Sequence, residues 1–315
     1  MVTRAVLIER FGGPEVLDVR EVEKPTPGPG EILVRVLASG TNPVEAKIRQ
    51  GAAMPDLPLP AVLGGDVSGV VEELGAGVSD FVVGDEVFYT PEPGLAGSYA
   101  DYNVVAAAIV APKPRALSHV EAAAVPLAGG TAWEAIVRRL AVRPGETVLV
   151  HAGAGGVGSF AVQFAVAAGA EVLATAGPDS QDVLRELGAV PIDYENDDPV
   201  QIALAHTGGA GVDAVLDLVG GENLVRSCAA TRPFGRLATV LAPAGELTAL
   251  YQRNQQLHGI MLTRERRRLV ELSPLFERGR VRPLIAEVLP LEQVRQAHER
   301  LDSGHGKGKT VLDLT

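Results

Sequence analysis

The stretch Val148-Leu149-Val150-His151-Ala152-Gly153-Ala154-Gly155-Gly156-Val157-Gly158 decides the fold. It reads as an apolar strand that ends in G-x-G-x-x-G and passes straight into an alanine-rich helix over 156–168. The glycines serve different ends, since Gly153 permits the tight turn, Gly155 lets backbone approach a pyrophosphate, and Gly158 lets helix and strand pack closely. Gly156 and Val157 open the helix, whose unpaired N–H groups favour an anion. A glycine-rich turn that holds nothing would look similar in isolation. The regular alternation of strands and helices around it favours a dinucleotide site.

That alternation predicts strands over 147–152, 171–175, 190–194, 212–219, 236–241 and 257–262, with helices over 131–140, 156–168, 180–187, 199–207 and 222–231. The strands are unbroken apolar runs such as Ala214-Val215-Leu216, as in a parallel sheet covered on both faces. Upstream the texture differs. Short β-branched segments over 4–8, 31–37, 67–74, 86–89 and 99–105, separated by turns such as Pro27-Gly28-Pro29-Gly30, predict a mostly antiparallel β domain. Ser118 with Glu121 can close a capping box at the start of the helical region. After Arg264 an amphipathic helix, a strand over 285–289, a helix over 292–301 and a strand over 310–314 complete the chain. The expected domains are 1–118, 119–263 for the dinucleotide, and 264–315 returning to the first.

The end of the second strand of the alternating block, Thr175-Ala176-Gly177, selects the cofactor. An NAD site places a carboxylate there for the ribose hydroxyls. A small neutral tip leaves room for a 2′-phosphate instead, so NADP(H) is expected. Asp179 is the competing ribose ligand, but Pro178-Asp179-Ser180 reads as a helix start with Asp179 or Ser180 capping. Ser180, the backbone around Gly177 and Tyr194 are left to meet the phosphate, because no Arg or Lys lies between Thr175 and Val183.

Composition excludes several classes. With Lys plus Arg at 28 against Asp plus Glu at 39, the net charge of −11 opposes nucleic-acid binding. The single cysteine, Cys228, rules out an intrachain disulfide framework and points to a reducing, cytoplasmic setting. No apolar run approaches the ~20 residues of a membrane span, and Met1-Val2-Thr3-Arg4 leads into a strand with no signal-peptide core. The six histidines, His119, His151, His206, His258, His298 and His305, show no metal-ligand spacing, so no metal is expected. No lysine follows a tyrosine by four residues, which excludes the Tyr-x-x-x-Lys dyad of short-chain dehydrogenases. His151 reads as a polar group satisfied at a strand end, and the run Arg264-Glu265-Arg266-Arg267-Arg268 as a solvated helix face.

Across nearly its full length the chain resembles the zinc-independent quinone oxidoreductase branch of the medium-chain dehydrogenase/reductase superfamily. The resemblance rests on Phe11-Gly12-Gly13-Pro14-Glu15-Val16-Leu17, Pro29-Gly30-Glu31-Ile32-Leu33-Val34, Ser39-Gly40-Thr41-Asn42-Pro43-Val44-Glu45 and Gly64-Gly65-Asp66-Val67-Ser68-Gly69. Gly84-Asp85-Glu86-Val87, Gly97-Ser98-Tyr99-Ala100, Gly129-Gly130-Thr131-Ala132-Trp133 and the glycine turn continue it.

The resemblance implies a GroES-like β domain joined to a Rossmann doubly wound sheet, a nicotinamide cleft where they meet, and hydride transfer from NADPH to a quinone or an α,β-unsaturated carbonyl. It further implies a homodimer through the strand near 257–262. Zinc-dependent relatives carry a cysteine and a Gly-His-Glu where this chain has Thr41 and Gly65-Asp66. By resemblance Asn42 faces nicotinamide and acceptor, against a turn residue before Pro43; Thr131, Val240 and Leu241 line the nicotinamide region, Gly155 to Val157 hold the pyrophosphate, and Tyr194 lies on the 2′-phosphate side, against a sheet-edge aromatic. Lys47 is the candidate proton donor, against a solvated side chain on a short helix. Many quinone reductases carry tyrosines at Lys47 and near Ala53 for stacking on a quinone, which this chain lacks, and its Asn42-Pro43-Val44-Glu45-Ala46-Lys47-Ile48 resembles relatives acting on alkenals and enones. An enoyl-thioester reductase and a nucleotide-binding sensor without useful turnover are the competing readings.

Overall fold

The computed structural model describes residues 2–94, 97–304 and 306–315; His305 lies outside them. The chain divides into two compact units, Met1–Ala128 with Thr263–Gly279 and Pro283–Thr315, and Gly129–Leu262 with Arg280–Arg282.

Among the described residues, the second unit is built on parallel strands in the order Val190–Asp193, Glu171–Ala176, Thr147–Val150, Val212–Asp217, Thr231–Thr239 and Gln256–Gly259. The chain starts in the middle of this sheet, winds to one edge, then crosses to the other side of Thr147–Val150. That is a doubly wound sheet, whose ligands sit at the carboxyl ends beside the first strand, where the winding direction reverses. Leu149, Leu173, Ile192, Val215 and Leu237, one from each of five neighbouring strands, meet Leu224 and Cys228 in a single core. Each such Leu, Ile or Val contributes about 1.5–3 kcal/mol on burial.

The first unit carries two sheets. Asp18–Glu23, Val2–Ile8 and Ala61–Val62 form one, antiparallel throughout. The larger runs Ile285–Pro290, Lys309–Asp313, Glu31–Gly40, Asp66–Leu74, Glu86–Tyr89 and Ala111–Pro112, with Tyr102–Ala106 also on Glu31–Gly40. All its pairings are antiparallel except Ile285–Pro290 on Lys309–Asp313. The register Val311 to Gly40 and Leu312 to Ser39 brings the start of the C-terminal strand beside Thr41 and Asn42.

Ser118 and Glu121 close their capping box in both directions, at 3.2 and 2.8 Å. Three local expectations fail. The helix expected over 131–140 starts earlier: Pro126–Trp133 is α-helical and Glu134–Arg139 continues as a π-helix. Pro126 suits a first helical turn. The wider turn lets the buried Glu134 carboxyl reach Arg139 Nε at 2.8 Å and Arg138 at 3.3 Å. After the second strand neither Asp179 nor Ser180 caps with its side chain; Gly177 opens a short 3-10 turn, and Gln181 Nε2 ties it to Ala176 O and Gly177 O at 2.9 and 3.1 Å. The arginine run is not a solvated face. Arg266 donates to Val110 O and Ala107 O and stacks over Phe81, and Arg268 donates to Thr263 O; Arg267 alone of the run's arginines stays largely exposed.

Candidate active site

The strand Glu31–Gly40 ends against the helix His119–Ala123, and a Cβ on Gly40 would lie 2.1 Å from Ala123 O, so only glycine fits. The chain turns there, and Thr41 Oγ1 donates to Thr310 O at 3.0 Å. Asn42 then caps the helix Pro43–Arg49 in a capping box with Glu45. Its side chain is 1% exposed and fully oriented: Nδ2 donates to Asp66 Oδ2 at 3.2 Å and to Glu45 Oε1 at 3.4 Å, while Oδ1 accepts from Lys309 Nζ. Acceptors on one side and an ammonium on the other fix which amide atom is oxygen. Lys309 Nζ also donates to Thr41 O at 2.6 Å and lies 3.7 Å from Asp66 Oδ2.

Two carboxyls and one ammonium are thus buried together, at 0% exposure for Asp66, 3% for Glu45 and 4% for Lys309. Burial, then the neighbouring Asp66 charge, pushes the Glu45 carboxyl up to about 8, with Lys309 opposing. Burial also raises Asp66 and lowers Lys309, each against the other's charge. Asp66 accepts from Leu127 N–H at 2.8 Å and faces Lys309, whose charge opposes the upward push of burial. At about 8, the Glu45 carboxyl is mostly protonated near pH 7.

Glu45 lines a narrow, open-mouthed concavity. Val44, Ile48, Leu57 and Leu63 give it aliphatic walls, and Gly64-Gly65 run along one side. Gly64 sits at φ +129, and a Cβ on Gly65 would lie 2.2 Å from Glu45 Oε1, so neither position accepts a side chain. Thr90, Pro91 and Glu92 complete the wall with Arg264, whose Nε donates to Pro91 O at 3.3 Å.

Lys47 is exposed on the helix Pro43–Arg49 and is not among the residues lining the concavity. The lysine on Asn42 is Lys309, which the sequence did not single out. Glu45 and Asp66 stood within quoted motifs, and Asn42-x-x-Glu45 with Pro43 between them is a readable capping box.

In the second unit the glycine turn is formed as expected from its residues. Gly155 caps the helix Gly156–Ala167, and a Cβ on Gly158 would lie 2.1 Å from Ala152 O. A Cβ on Gly153 would press Ala174 Cβ at 2.7 Å. Gly155 differs: its Cβ would meet only Ala152 O, at 3.2 Å, which leaves open space over the helix N-terminus for a pyrophosphate. The turn fits a dinucleotide on that ground. Thr175 is turned inward, its hydroxyl accepting from Ala152 N–H at 3.1 Å and reaching His151 Nδ1 at 3.4 Å. His151 is paired further with Ser227 Oγ at 3.0 Å, and burial lowers it to about 4. Thr131 is buried in the helix Pro126–Trp133. Val240 and Leu241 are half-buried after the fifth strand, Leu241 N–H donating to Thr239 Oγ1 at 3.2 Å. Around Gly177, a Cβ would lie 3.8 Å from the Tyr194 hydroxyl and 3.3 Å from Glu195 Oε1. Ser180 is half-buried in the same turn.

Comparison with known proteins agrees with both units. Residues 28–115 match the family described as alcohol dehydrogenase GroES-like domain, and residues 187–312 that described as zinc-binding dehydrogenase. A human protein named quinone oxidoreductase is 33% identical over 324 residues, covering 99% of this chain and 98% of its own. An alcohol dehydrogenase superfamily protein from Novosphingobium aromaticivorans superposes with a TM-score of 0.93 at 35% identity, covering 99% of this chain and 100% of that one. The quinone oxidoreductase from Coxiella burnetii gives a TM-score of 0.91 at 31% identity, covering 100% of both. With a GroES-like antiparallel unit and a doubly wound unit, the chain belongs to the quinone oxidoreductase branch of the medium-chain dehydrogenase/reductase superfamily, and is an oxidoreductase of that kind.

Proposed function

We propose that the protein is an NADPH-dependent, metal-free reductase of quinones and of the activated C=C of α,β-unsaturated carbonyls. The observation that carries this reading is the Glu45 carboxyl, buried at 3% exposure and held by Asn42 on the wall of a narrow concavity with aliphatic sides, where burial pushes it up to about 8. Bound NADPH supplies a hydride. The chain's own residues do the rest. The backbone from Gly155 to Val157 holds the pyrophosphate, with Gly153 and Gly158 keeping the turn tight. Thr131, Val240 and Leu241 orient the nicotinamide end. Glu45, rather than Lys47, holds the proton that completes the reduction, and Asn42, Asp66 and Lys309 position it. The aliphatic walls exclude water.

Metal-free chemistry is supported by how the site's oxygens are engaged. Asp66 accepts from Leu127 N–H and Asn42 Nδ2 beside the Lys309 ammonium, and the Thr41 hydroxyl donates to Thr310 O. A cation there would have to displace Lys309 and break these bonds. NADPH is supported by the neutral tip at Ala176 and Gly177, with Tyr194 and Ser180 near it; the exposed Glu195 opposes the 2′-phosphate and so limits the preference. The edge strand Gln256–Gly259 offers an unpaired ladder for a homodimer, and a buried free thiol at Cys228 suits a reducing cytoplasm. The test is kcat/KM for NADPH and NADH across a panel of quinones and short enones. Turnover with no acceptor by either cofactor would overturn the reading.

A further inference from the structure

We propose that Thr90 anchors the electron acceptor, its hydroxyl donating a hydrogen bond to a carbonyl oxygen of the quinone or enone seated beside Glu45. The inference rests on the reductase reading above and names a residue that reading does not use. Thr90 follows the strand Glu86–Tyr89, is 6% exposed, and lines the same concavity as Glu45. Its Oγ1 has no hydrogen-bond partner among the described residues. A buried hydroxyl left unpaired carries its full desolvation cost, and such groups are rare in folded proteins without a ligand or a water to meet them.

The surroundings define the ligand. Pro91 and Pro93 border the concavity and have no N–H to offer. Arg264 Nε is directed at Pro91 O, and Glu92 Oε2 lies 4.0 Å from it. Val44, Ile48, Leu57 and Leu63 supply no polar side-chain atoms. The Thr90 hydroxyl is thus a buried, unengaged donor facing the aliphatic side of a wall whose other polar side chains are Glu45, Glu92 and Arg264, and away from bulk water one hydrogen bond counts for more. It suits a neutral carbonyl oxygen, onto which the electron pair moves as hydride arrives at the conjugated carbon and Glu45 gives the proton to the carbon beside the carbonyl. The acceptor gains one hydride and one proton, and Glu45 recovers its proton from solvent.

The experiment compares wild type with Thr90→Val, which keeps the shape and loses the hydroxyl, and Thr90→Ser, which keeps the hydroxyl. Thermal unfolding is followed with and without 2-cyclohexen-1-one and no nicotinamide, alongside steady-state NADPH oxidation with the same enone. Thr90→Val is expected to unfold at a higher temperature than wild type, lose the stabilisation by the enone, and drop about fivefold in kcat/KM, chiefly through KM. Thr90→Ser should retain the enone shift and wild-type KM. A lowered unfolding temperature in Thr90→Val would show a structural partner for the hydroxyl and overturn the inference. So would an unchanged enone shift and KM in that variant, or no enone shift in wild type. Failure of wild type with every quinone and enone would instead overturn the reductase reading.

Discussion

Lys309 Nζ donates to the side-chain oxygen of Asn42, 267 residues earlier in the chain. The contact exists because Lys309–Asp313 lies antiparallel on Glu31–Gly40. The end of the chain thereby closes the charge balance of a cluster whose other members, Glu45 and Asp66, come from its beginning. Asn42 is held on three sides, by Asp66, Glu45 and Lys309.

Replacing Lys309 by methionine leaves the Asp66 carboxylate buried and uncompensated. Breaking a buried pair this way costs about 3–5 kcal/mol. Urea unfolding of Lys309→Met should show a loss of that size; a loss below about 1 kcal/mol would mean the cluster is wetter or looser than described.

The Glu45 carboxyl titrates at about 8 in the folded protein against 4.5 for an ordinary glutamate. Between those values the folded state holds one proton more than the unfolded state. This contribution is complete below the unfolded value and is lost as pH rises through the folded one, at up to ~1.4 kcal/mol per pH unit. Turnover should fall over the same upper limb as the proton donor ionises. In Glu45→Gln the difference in pH slope of stability should vanish, and kcat should become low and flat with pH. A wild-type profile still rising above pH 9, or an unaltered profile in the variant, would contradict the role given to Glu45.

Gly155 and Gly158 differ in what an added methyl would meet. In Gly158→Ala the Cβ strikes Ala152 O at 2.1 Å, so the unfolding temperature should drop sharply. In Gly155→Ala the nearest atom is Ala152 O at 3.2 Å, so stability should hold while NADPH binding, read by fluorescence titration, weakens about tenfold or more. Equal effects of the two changes on both readouts would show that the turn does not hold the pyrophosphate.

Glu195 is exposed, and its Oε1 lies 3.3 Å from where a Gly177 Cβ would sit. Removing that charge in Glu195→Gln should raise the NADPH over NADH ratio of kcat/KM by about two- to threefold, more at low salt, as expected for a screened surface charge. An unchanged ratio at low salt would place the 2′-phosphate elsewhere.

The doubly wound unit was legible because its signals are local: a glycine turn between an apolar strand and a helix, and repeated continuous runs such as Val148-Leu149-Val150. The pocket cluster was not, because it depends on strand register. Nothing near Lys309 in the sequence marks it as buried against Asn42. Asp18–Glu23 escaped notice because its charged, half-exposed residues hide the strand alternation. The arginines after Arg264 looked solvated by their charge, whereas backbone carbonyls at Pro91, Val110, Ala107 and Thr263 accept from three of the run's arginines, Arg264 included. The orphan hydroxyl of Thr90 is a property of packing alone.

The most direct test of the central claim is a side-by-side assay on protein dialysed against a strong chelator and analysed for metals. It measures NADPH oxidation with 1,4-benzoquinone and 2-cyclohexen-1-one, and NADP⁺ reduction with ethanol and 2-propanol. On the proposal that no metal polarises an alcohol here, and with no Tyr-x-x-x-Lys dyad to deprotonate one, the account predicts undiminished reduction of at least one conjugated acceptor and negligible alcohol oxidation. One zinc per chain whose removal abolishes activity, or efficient oxidation of simple alcohols, would contradict it.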